Sequence, residues 1–365
     1  MRGSESMNIY VLNGLSGIEN IIDVFQSVVW NMQYYADGDF DLSVPGNTKN
    51  VSMLTVGKYL VREADINASG GTETFRNVMI IEKRVLSYDA DEGWILTLTG
   101  GSLKRILARR IIWEQMNFTG GTAENAIRSA ITQNVIDPAI TERQIQDFIL
   151  GPAKGYTDTI TAQAFGENLA DWVTSVCKQY GYGWDIYISG NKYVFDLYKG
   201  TDRTYDQNEV IPVVFSPEFD NLLASTYTDD RTNYKNTAMI GGEGEGDAKK
   251  TASVGTSSGL SRFEAYYDGS SYSSNDGQIT DQEYLAMLRT FGAEELGKTH
   301  NTEKVEGEVL PAGMYTLNQD FFLGDLVQII NDHGISAQSR ILEIIYSEDA
   351  SGIKLTPTFG EWEDE

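Results

Sequence analysis

The stretch Tyr193–Gly246 reads YVFDLYKGTDRTYDQNEVIPVVFSPEFDNLLASTYTDDRTNYKNTAMIGGEGEG and decides the fold class of the chain. It contains three runs rich in β-branched and aromatic residues, the last two at 213–215 and 236–240. Polar segments separate these runs, and Pro217 and the glycine tract at 241–246 interrupt them. Runs of this composition between clusters of Gly, Pro, Asp and Asn predict β-strands joined by turns.

The composition is that of a folded protein rich in strands. The chain has 365 residues, of which 41% are hydrophobic and 22% charged, and it contains 36 Gly and 20 Tyr. A chain of this length exceeds one typical core, so several subdomains are expected. Frequent Tyr and Gly favour strands and tight turns.

The formal net charge of −25 opposes binding of nucleic acid through basic contacts. Two interpretations of the acidity stay open. It serves solubility alone, or it lines a passage for DNA, since a wall of Lys and Arg would hold the phosphates in place.

The single cysteine, Cys177, excludes an internal disulfide and is expected to be a small buried hydrophobe. No apolar run approaches the ~20 residues needed to span a bilayer. No secretory hydrophobic region opens the chain, so the protein is expected to be made and kept in the cytoplasm. Residues 1–6 resemble a tag-like leader, and Met7 is expected to be the natural start.

The order of elements predicts an α+β, β-rich fold with two small β-barrel-like domains, an α/β subdomain and a helical and loop insertion. The expected parts are a leader at 1–6, an N-terminal β-barrel-like domain at 7–100, an α/β subdomain at 101–210, a discontinuous second β-barrel-like domain at 211–243 and 303–361, and an inserted loop-and-helix subdomain at 244–302.

Two hairpins stand out in this pattern. Residues 78–88 are joined to 94–99 by a connection with Gly93 late in the turn. In the second strand of that hairpin the even positions 94, 96 and 98 share one face. Residues 184–198 form another hairpin that turns at Ser189-Gly190-Asn191.

Four helices are predicted from periodicity and caps. One begins at Ser102, with Leu103, Ile106, Leu107 and Ile111 on its apolar side and Lys104, Arg105 and Arg109 opposite. A second follows the capping residue Thr122, with Glu124 at its positive end. A third spans 167–180 and stops at Gly181. The fourth begins with the capping box Thr280–Glu283, runs to about Leu296 and has Gly297 after it.

Two segments match ligand-binding motifs only in part. Gly292–Thr299 satisfies the P-loop pattern, but it lies at the end of a predicted helix and carries Glu294 and Glu295, which would face the phosphates. Asp37–Asp41 has the opening spacing of a calcium loop, yet the sixth position is Leu42 and the twelfth is Thr48. We expect a helix end and a solvated strand face.

No residues are assigned to a catalytic, cofactor or metal site. His300 and His333 are far from each other and from Cys177, so no zinc spacing exists, and no G-x-S-x-G elbow is present. Asp325 follows a Gly, precedes a strand and is expected to be a turn aspartate.

Two alternatives with other functions stay open. A carboxylate-based hydrolase of cell-wall glycan needs only a close acidic pair, which 53 acidic residues supply easily. A carbohydrate- or receptor-binding module would use exposed Tyr and Trp.

The order of several segments is similar to that of the siphovirus ReqiPepy-type (Gp37-like) tail protein family. The segments are KGTDRT (199–204), VVFSPEFDNL (213–222), KNTAMIGGEGEG (235–246), DFFLGDLV (320–327), RILEI (340–344), PTFG (357–360), and GSLK (101–104) followed by RRII (109–112). The resemblance spans nearly the whole chain.

The resemblance implies a structural protein of a phage or prophage tail tip, akin to a baseplate hub, and no enzyme. It implies a homotrimeric ring that contacts the tail tube, the distal tail protein and other tail-tip proteins in the virion tail. DNA would pass through the lumen without sequence-specific binding.

Overall fold

The computed structural model describes residues 7–69, 72–91, 93–274, 277–299, 302–309, 313–330, 333 and 336–362. The fold is α+β and rich in strands, as the sequence predicts. The first part is almost entirely β. Its elements are β1 (Ile9–Leu12), β2 (Ile18–Ile22), β3 (Ser27–Gln33), β4 (Asp39–Pro45), α1 (Thr48–Met53), β5 (Tyr59–Arg62), β6 (Ile66–Ser69), β7 (Thr72–Phe75), β8 (Met79–Asp89) and β9 (Gly93–Ser102).

Helices and strands alternate in the next part of the chain. The elements are α2 (Arg105–Ala108), β10 (Met116–Thr122), α3 (Ala123–Ile131), β11 (Phe148–Leu150), β12 (Thr159–Ala164), α4 (Leu169–Tyr180), β13 (Gly183–Ser189) and β14 (Lys192–Tyr198).

The remaining part returns to strands around a single longer helix. The elements are β15 (Asp202–Arg203), β16 (Val214–Phe215), β17 (Leu222–Asp230), β18 (Thr237–Gly241), β19 (Thr251–Val254), β20 (Glu264–Asp268), α5 (Asp281–Gly297), β21 (Thr302–Val309), β22 (Leu326–Ile330), β23 (Ser336–Asp349) and β24 (Gly352–Trp362).

One large sheet connects the beginning and the end of the chain. Its strand order is β17-β21-β24-β23-β3-β4-β9-β8-β5-β1-β2, and β22 adds β15 and β16 beside β23. A single hydrophobic cluster lies under it and combines Trp30, Phe40 and Leu42 with Phe215, Phe321 and Phe359. The two predicted β-domains therefore share a sheet and a core.

A second cluster fills the α/β part. The five-stranded sheet β11-β14-β13-β7-β6 and the two-stranded sheet β10-β12 surround α3 and α4. Thr122 caps α3, and Gly181, with φ of 66°, ends α4, as predicted. Strands β6 and β7, expected in the N-terminal β-domain, pair instead within the five-stranded sheet.

A third, smaller cluster lies between α5 and the sheet β19-β18-β20. The predicted capping box of Thr280 and Glu283 is present, but Lys298 and not Gly297 is the C-cap. Strand β18, expected in the second β-domain, pairs with β19 and β20. Residues 243–280 were expected to be loop with one strand near 263–267, where β20 lies, whereas β19 was not expected.

The helix predicted from Ser102 is shorter than expected. Helix α2 has four residues, and Lys104, not Ser102, is its N-cap. Leu103, Ile106 and Leu107 are buried as predicted, whereas Ile111 is 40% exposed because the chain leaves the helix before reaching it.

Candidate functional site

The two β-domains are joined by direct pairing of β3 with β23. The antiparallel register runs from Gln33 opposite Glu343 to Val28 opposite Glu348. The N–H of Tyr34 extends the pairing by donating to the carbonyl oxygen of Leu342 at 2.8 Å. Since each paired residue adds backbone hydrogen bonds, the relative position of the two domains is determined by a β-ladder and not by a flexible linker.

Side chains alternate across this join. Trp30, Met32 and Ile344 point into the shared core and are 0–5% exposed. Val29 and Ile345, one position along their strands, point to the opposite face. Successive residues of a strand face opposite sides of a sheet, so the second face is solvent-accessible on both domains.

We define the polar face as the outward side chains of β8, β9, β4, β3, β23, β24 and β21, aligned by strand register. All of them are half-buried or exposed. They are Lys83, Val85, Ser87, Ile95, Thr97, Thr99, Asp39, Asp41, Ser43, Ser27, Val29, Asn31, Gln33, Glu343, Ile345, Ser347, Lys354, Thr356, Thr358 and Glu308.

Uncharged hydrogen-bonding groups dominate the polar face, and its acidic groups outnumber its two lysines. Several groups are linked across strands. Thr358 Oγ1 donates to Glu343 Oε2 at 2.7 Å, and Ser43 and Thr97 hydroxyls lie 3.3 Å apart. Lys354 Nζ lies 3.3 Å from Glu308 Oε2, which neutralises one of the two lysines. The face therefore offers few sites that would attract a phosphate.

Tyr34, at the end of β3, links both β-domains to the α/β part. Its side chain is fully buried, and its hydroxyl donates to the carbonyl oxygen of Gly181 at 3.1 Å. Its ring lies against Gly183 and Gly324. A Cβ added at either glycine would come within 2.2 Å of Tyr34 Cε2, so both positions require glycine.

Lys104 hydrogen-bonds to backbone carbonyl groups at the same end of β3. Its Nζ donates to the carbonyl oxygens of Gln33 at 2.7 Å and Ala36 at 2.8 Å, and lies 4.9 Å from the Trp184 ring centroid. Burial lowers the pKa of Lys104 to about 8. The prediction that Lys104 lies on a polar helix side was wrong, because the side chain crosses to the carbonyl groups that follow β3.

Asp325 connects β15 to the turn before β22. Its Oδ1 accepts from the Thr201 N–H at 2.7 Å, and its Oδ2 accepts from Arg203 Nε at 2.6 Å and from the Phe322 N–H at 2.9 Å. The carboxylate is 2% exposed. Asp325 does bond to a nearby turn N–H, as expected, but it also binds a distant segment.

The two partial motifs have no ligand geometry. Gly292–Gly297 is helical within α5, so its N–H groups are used by the helix and do not form a phosphate loop. Asp39 and Asp41 are exposed on strand β4 with Phe40 buried between them, and the guanidinium of Arg105 pairs with Asp37. Both expectations from the sequence agree with this structure.

Within the residues that the structure describes, no group of three or more His, Cys, Asp or Glu side chains could hold a metal ion. Among those same residues, no helix is long and apolar enough to cross a membrane. His300 lies outside the described residues, whereas His333 is exposed on a turn. Cys177 is fully buried, as predicted, and burial raises the pKa of its thiol.

Residues 8–361 match the model of a family described as Siphovirus ReqiPepy6 Gp37-like protein. No curated protein matches the sequence. Solved structures match over nearly the whole chain. The tail protein from Neisseria meningitidis MC58 aligns with a TM-score of 0.57 and 15% identity, covering 97% of this chain and 96% of that chain.

Two further structures are similar. The 43 kDa tail protein of prophage MuSo2 from Shewanella oneidensis aligns with a TM-score of 0.55 and 14% identity, covering 96% of this chain and 98% of that chain. A chain of a PdpA–VgrG complex aligns with a TM-score of 0.51 and 10% identity, covering 97% of this chain but 64% of that chain. At these identities the likeness shows a shared fold.

The β-rich fold of this chain, with helical parts attached to its large sheet, is thus similar to the folds of two solved tail proteins. The chain belongs to the Siphovirus ReqiPepy6 Gp37-like family of tail proteins. The recognition made from the segment order is confirmed.

Proposed function

We propose that the protein is a structural subunit of the tail tip, or baseplate hub, of a phage or prophage, and that it is not an enzyme. Three copies would form a ring that joins the tail tube to the tip. Its neighbours would be the tail tube, the distal tail protein and other tail-tip proteins. The subunit would be made in the cytoplasm of a bacterial host and would reside at the tip of the virion tail.

The observation that carries this proposal is the pairing of β3 with β23. It places two β-domains side by side in one chain and holds them as a unit. Three such chains would present six β-domains around one axis, which matches a hexameric tube. We also propose the subdomain boundaries expected from the sequence, with two changes. Strands β6 and β7 are assigned to the α/β subdomain, and strand β18 is assigned to the inserted subdomain.

The composition of the polar face supports a role in the passage of DNA. Its Ser, Thr, Asn and Gln side chains and its excess of acidic over basic groups would not retain a DNA phosphate backbone. In the ring, this face of the shared sheet would line the lumen.

The experiment is the mass of the purified protein in solution, measured by light scattering over a concentration series. We expect a trimer with a central channel visible by electron microscopy. A strict monomer, both alone and with a tail tube protein added, would contradict the ring. Wall-glycan turnover by the purified protein would contradict the structural assignment.

A further inference from the structure

A groove lies between the strand β10 and the helix α3, on the α/β part of the molecule. It has a volume of about 500 Å³. Gln115, Asn117 and Thr119 line its strand side, and Asn125, Ser129 and Gln133 line its helix side. Asn125 and Ser129 belong to α3, and Gln133 belongs to the π-helical turn that continues it. The three residues recur every four positions and therefore form a row along one side of this helical segment.

The groove follows the edge of β10 and not one of its faces. Every residue from Gln115 to Thr119 contributes to the lining. Neighbouring side chains of a strand point to opposite faces, so a groove that contacts all of them runs along the strand edge. Among the described strands, β10 pairs only with β12, which lies on its other side.

The free edge of β10 is interrupted at one end by a β-bulge between Thr119 and Gly121, and its remaining part is unprotected. Edge strands are commonly protected by charged side chains, proline or bulges. The exposed edge of β8 carries Glu82, Lys83 and Arg84 in succession, whereas the segment Met116–Thr119 of β10 has neither charge nor proline. The bulge between Thr119 and Gly121 interrupts the pairing of β10 with β12, so the regular part of β10 is Met116–Thr119.

The lining of the groove is uncharged in a protein with a net charge of −25. Its polar side chains are amides and hydroxyls, while Ala126 and Ile160 are buried beneath them. Desolvating a charged partner here would lack an opposite charge to compensate it. An uncharged partner loses less hydration free energy by the same transfer, and its polar groups can hydrogen-bond to the amides and hydroxyls of the lining.

We propose that this groove binds an extended, uncharged peptide segment of a neighbouring protein, which adds to the free edge of β10 as a further strand. The backbone groups of Met116–Thr119 that point away from β12 hold the segment by hydrogen bonds, and the amide and hydroxyl side chains on the two sides of the groove contact its alternate side chains. At ~3.4 Å per residue, four paired residues span about 14 Å.

The test is a selection of random twelve-residue peptides, displayed on a surface, against the immobilised full-length protein. Ser129→Trp fills the groove from the helix side, and Ser261→Trp, on an exposed turn, is the matched control. We expect enriched peptides that are poor in charge, and synthetic copies that bind at least tenfold more weakly to the Ser129→Trp variant and unchanged to the control.

A second variant keeps the test valid if the Ser129→Trp protein fails to fold. Asn125→Asp with Gln133→Glu adds two charges to the lining, and an acidic residue in the first turn of α3 favours the helix. It should keep the melting temperature and weaken the same peptides. Methylating alternate backbone nitrogens of a selected peptide should abolish its binding. The alternate amides of Met116–Thr119 that point away from β12 should exchange more slowly in the complex.

The proposal is overturned if no peptide is enriched over the Ser129→Trp protein, or if the selected peptides bind both proteins equally. It is also overturned if neutral oligosaccharides bind the groove and peptides do not. None of these outcomes depends on whether the protein forms a ring.

Discussion

Arg203 Nε lies 2.6 Å from Asp325 Oδ2, although 122 positions of sequence separate the two residues. The pair connects β15, which follows the α/β part, to the turn that begins β22. Both side chains are shielded, with 14% of the Arg203 side chain and 2% of the Asp325 side chain exposed. The pair therefore anchors the segment that leads from the α/β part into the second β-domain.

Asp325→Asn should destabilise the protein strongly. It leaves Arg203 shielded without a counter-charge, and breaking a buried pair in this way costs about 3–5 kcal/mol. Denaturant unfolding measures the change in the free energy of unfolding. Asp23→Asn, on an exposed position, is the control and should change it little. Equal stability of Asp325→Asn and wild type would show that the pair does not anchor the segment.

Gly183→Ala should destabilise the joint around Tyr34. The added Cβ would lie 2.2 Å from Tyr34 Cε2, and overpacking of this kind costs about 1–3 kcal/mol. Gly297→Ala is the matched control, because its Cβ meets no atom within 4 Å and its position is helical. The control should raise stability by about 0.5–1 kcal/mol. Thermal unfolding should show a lower melting temperature for Gly183→Ala and a higher one for Gly297→Ala, each relative to wild type.

The stability of the α5 region should depend on pH through Glu294. Burial, together with the nearby carboxylate of Glu167, raises the pKa of Glu294 to about 7 from its ordinary 4.5. Glu295 adds to this shift, while Lys298 opposes it. The folded state thus holds the proton more tightly, so stability present below about pH 4.5 is lost as the pH rises through about 7.

Glu294→Gln removes this loss because its side chain stays neutral. We expect the variant to raise the melting temperature more at pH 8 than at pH 5. Glu209→Gln, on an exposed position, should show no such difference. A shift for Glu294→Gln that is the same at both pH values would contradict the assignment.

Lysines on the polar face should convert it into a surface that retains DNA. Thr97→Lys, Ser347→Lys and Thr356→Lys together should raise affinity for duplex DNA at low salt, with binding weakening as salt increases. The control places the same three charges at the exposed positions Thr232, Ser261 and Ser351. Fluorescence anisotropy with labelled DNA compares the two. Equal affinities would argue against this face as a lumen wall.

Local signals in the sequence predict local structure well. The caps at Thr122, Gly181 and Thr280 and the hairpin turn at Gly190 involve residues a few positions apart, so their side-chain chemistry and backbone preferences suffice. The family was recognised from the order of such local segments.

Features that depend on distant residues were missed. Neither β3 nor β23 carries a pattern that specifies its partner, since both simply alternate buried and exposed side chains. Lys104 and Asp325 look like surface residues in the sequence because their partners lie elsewhere in the chain. The groove along β10 was missed for another reason: its strand and helix residues are close in sequence, but the sequence does not show that β10 pairs along one edge only.

The pairing of β3 with β23 also has a consequence for biosynthesis. The side chains of Gln33 and Glu343 bond across 310 positions of sequence. While the ribosome is still making the second half, β3 has an open edge toward the missing strand, and pairings of such long range form slowly. The first β-domain is therefore completed only after the chain is nearly finished, and truncation before β23 should leave a product that aggregates.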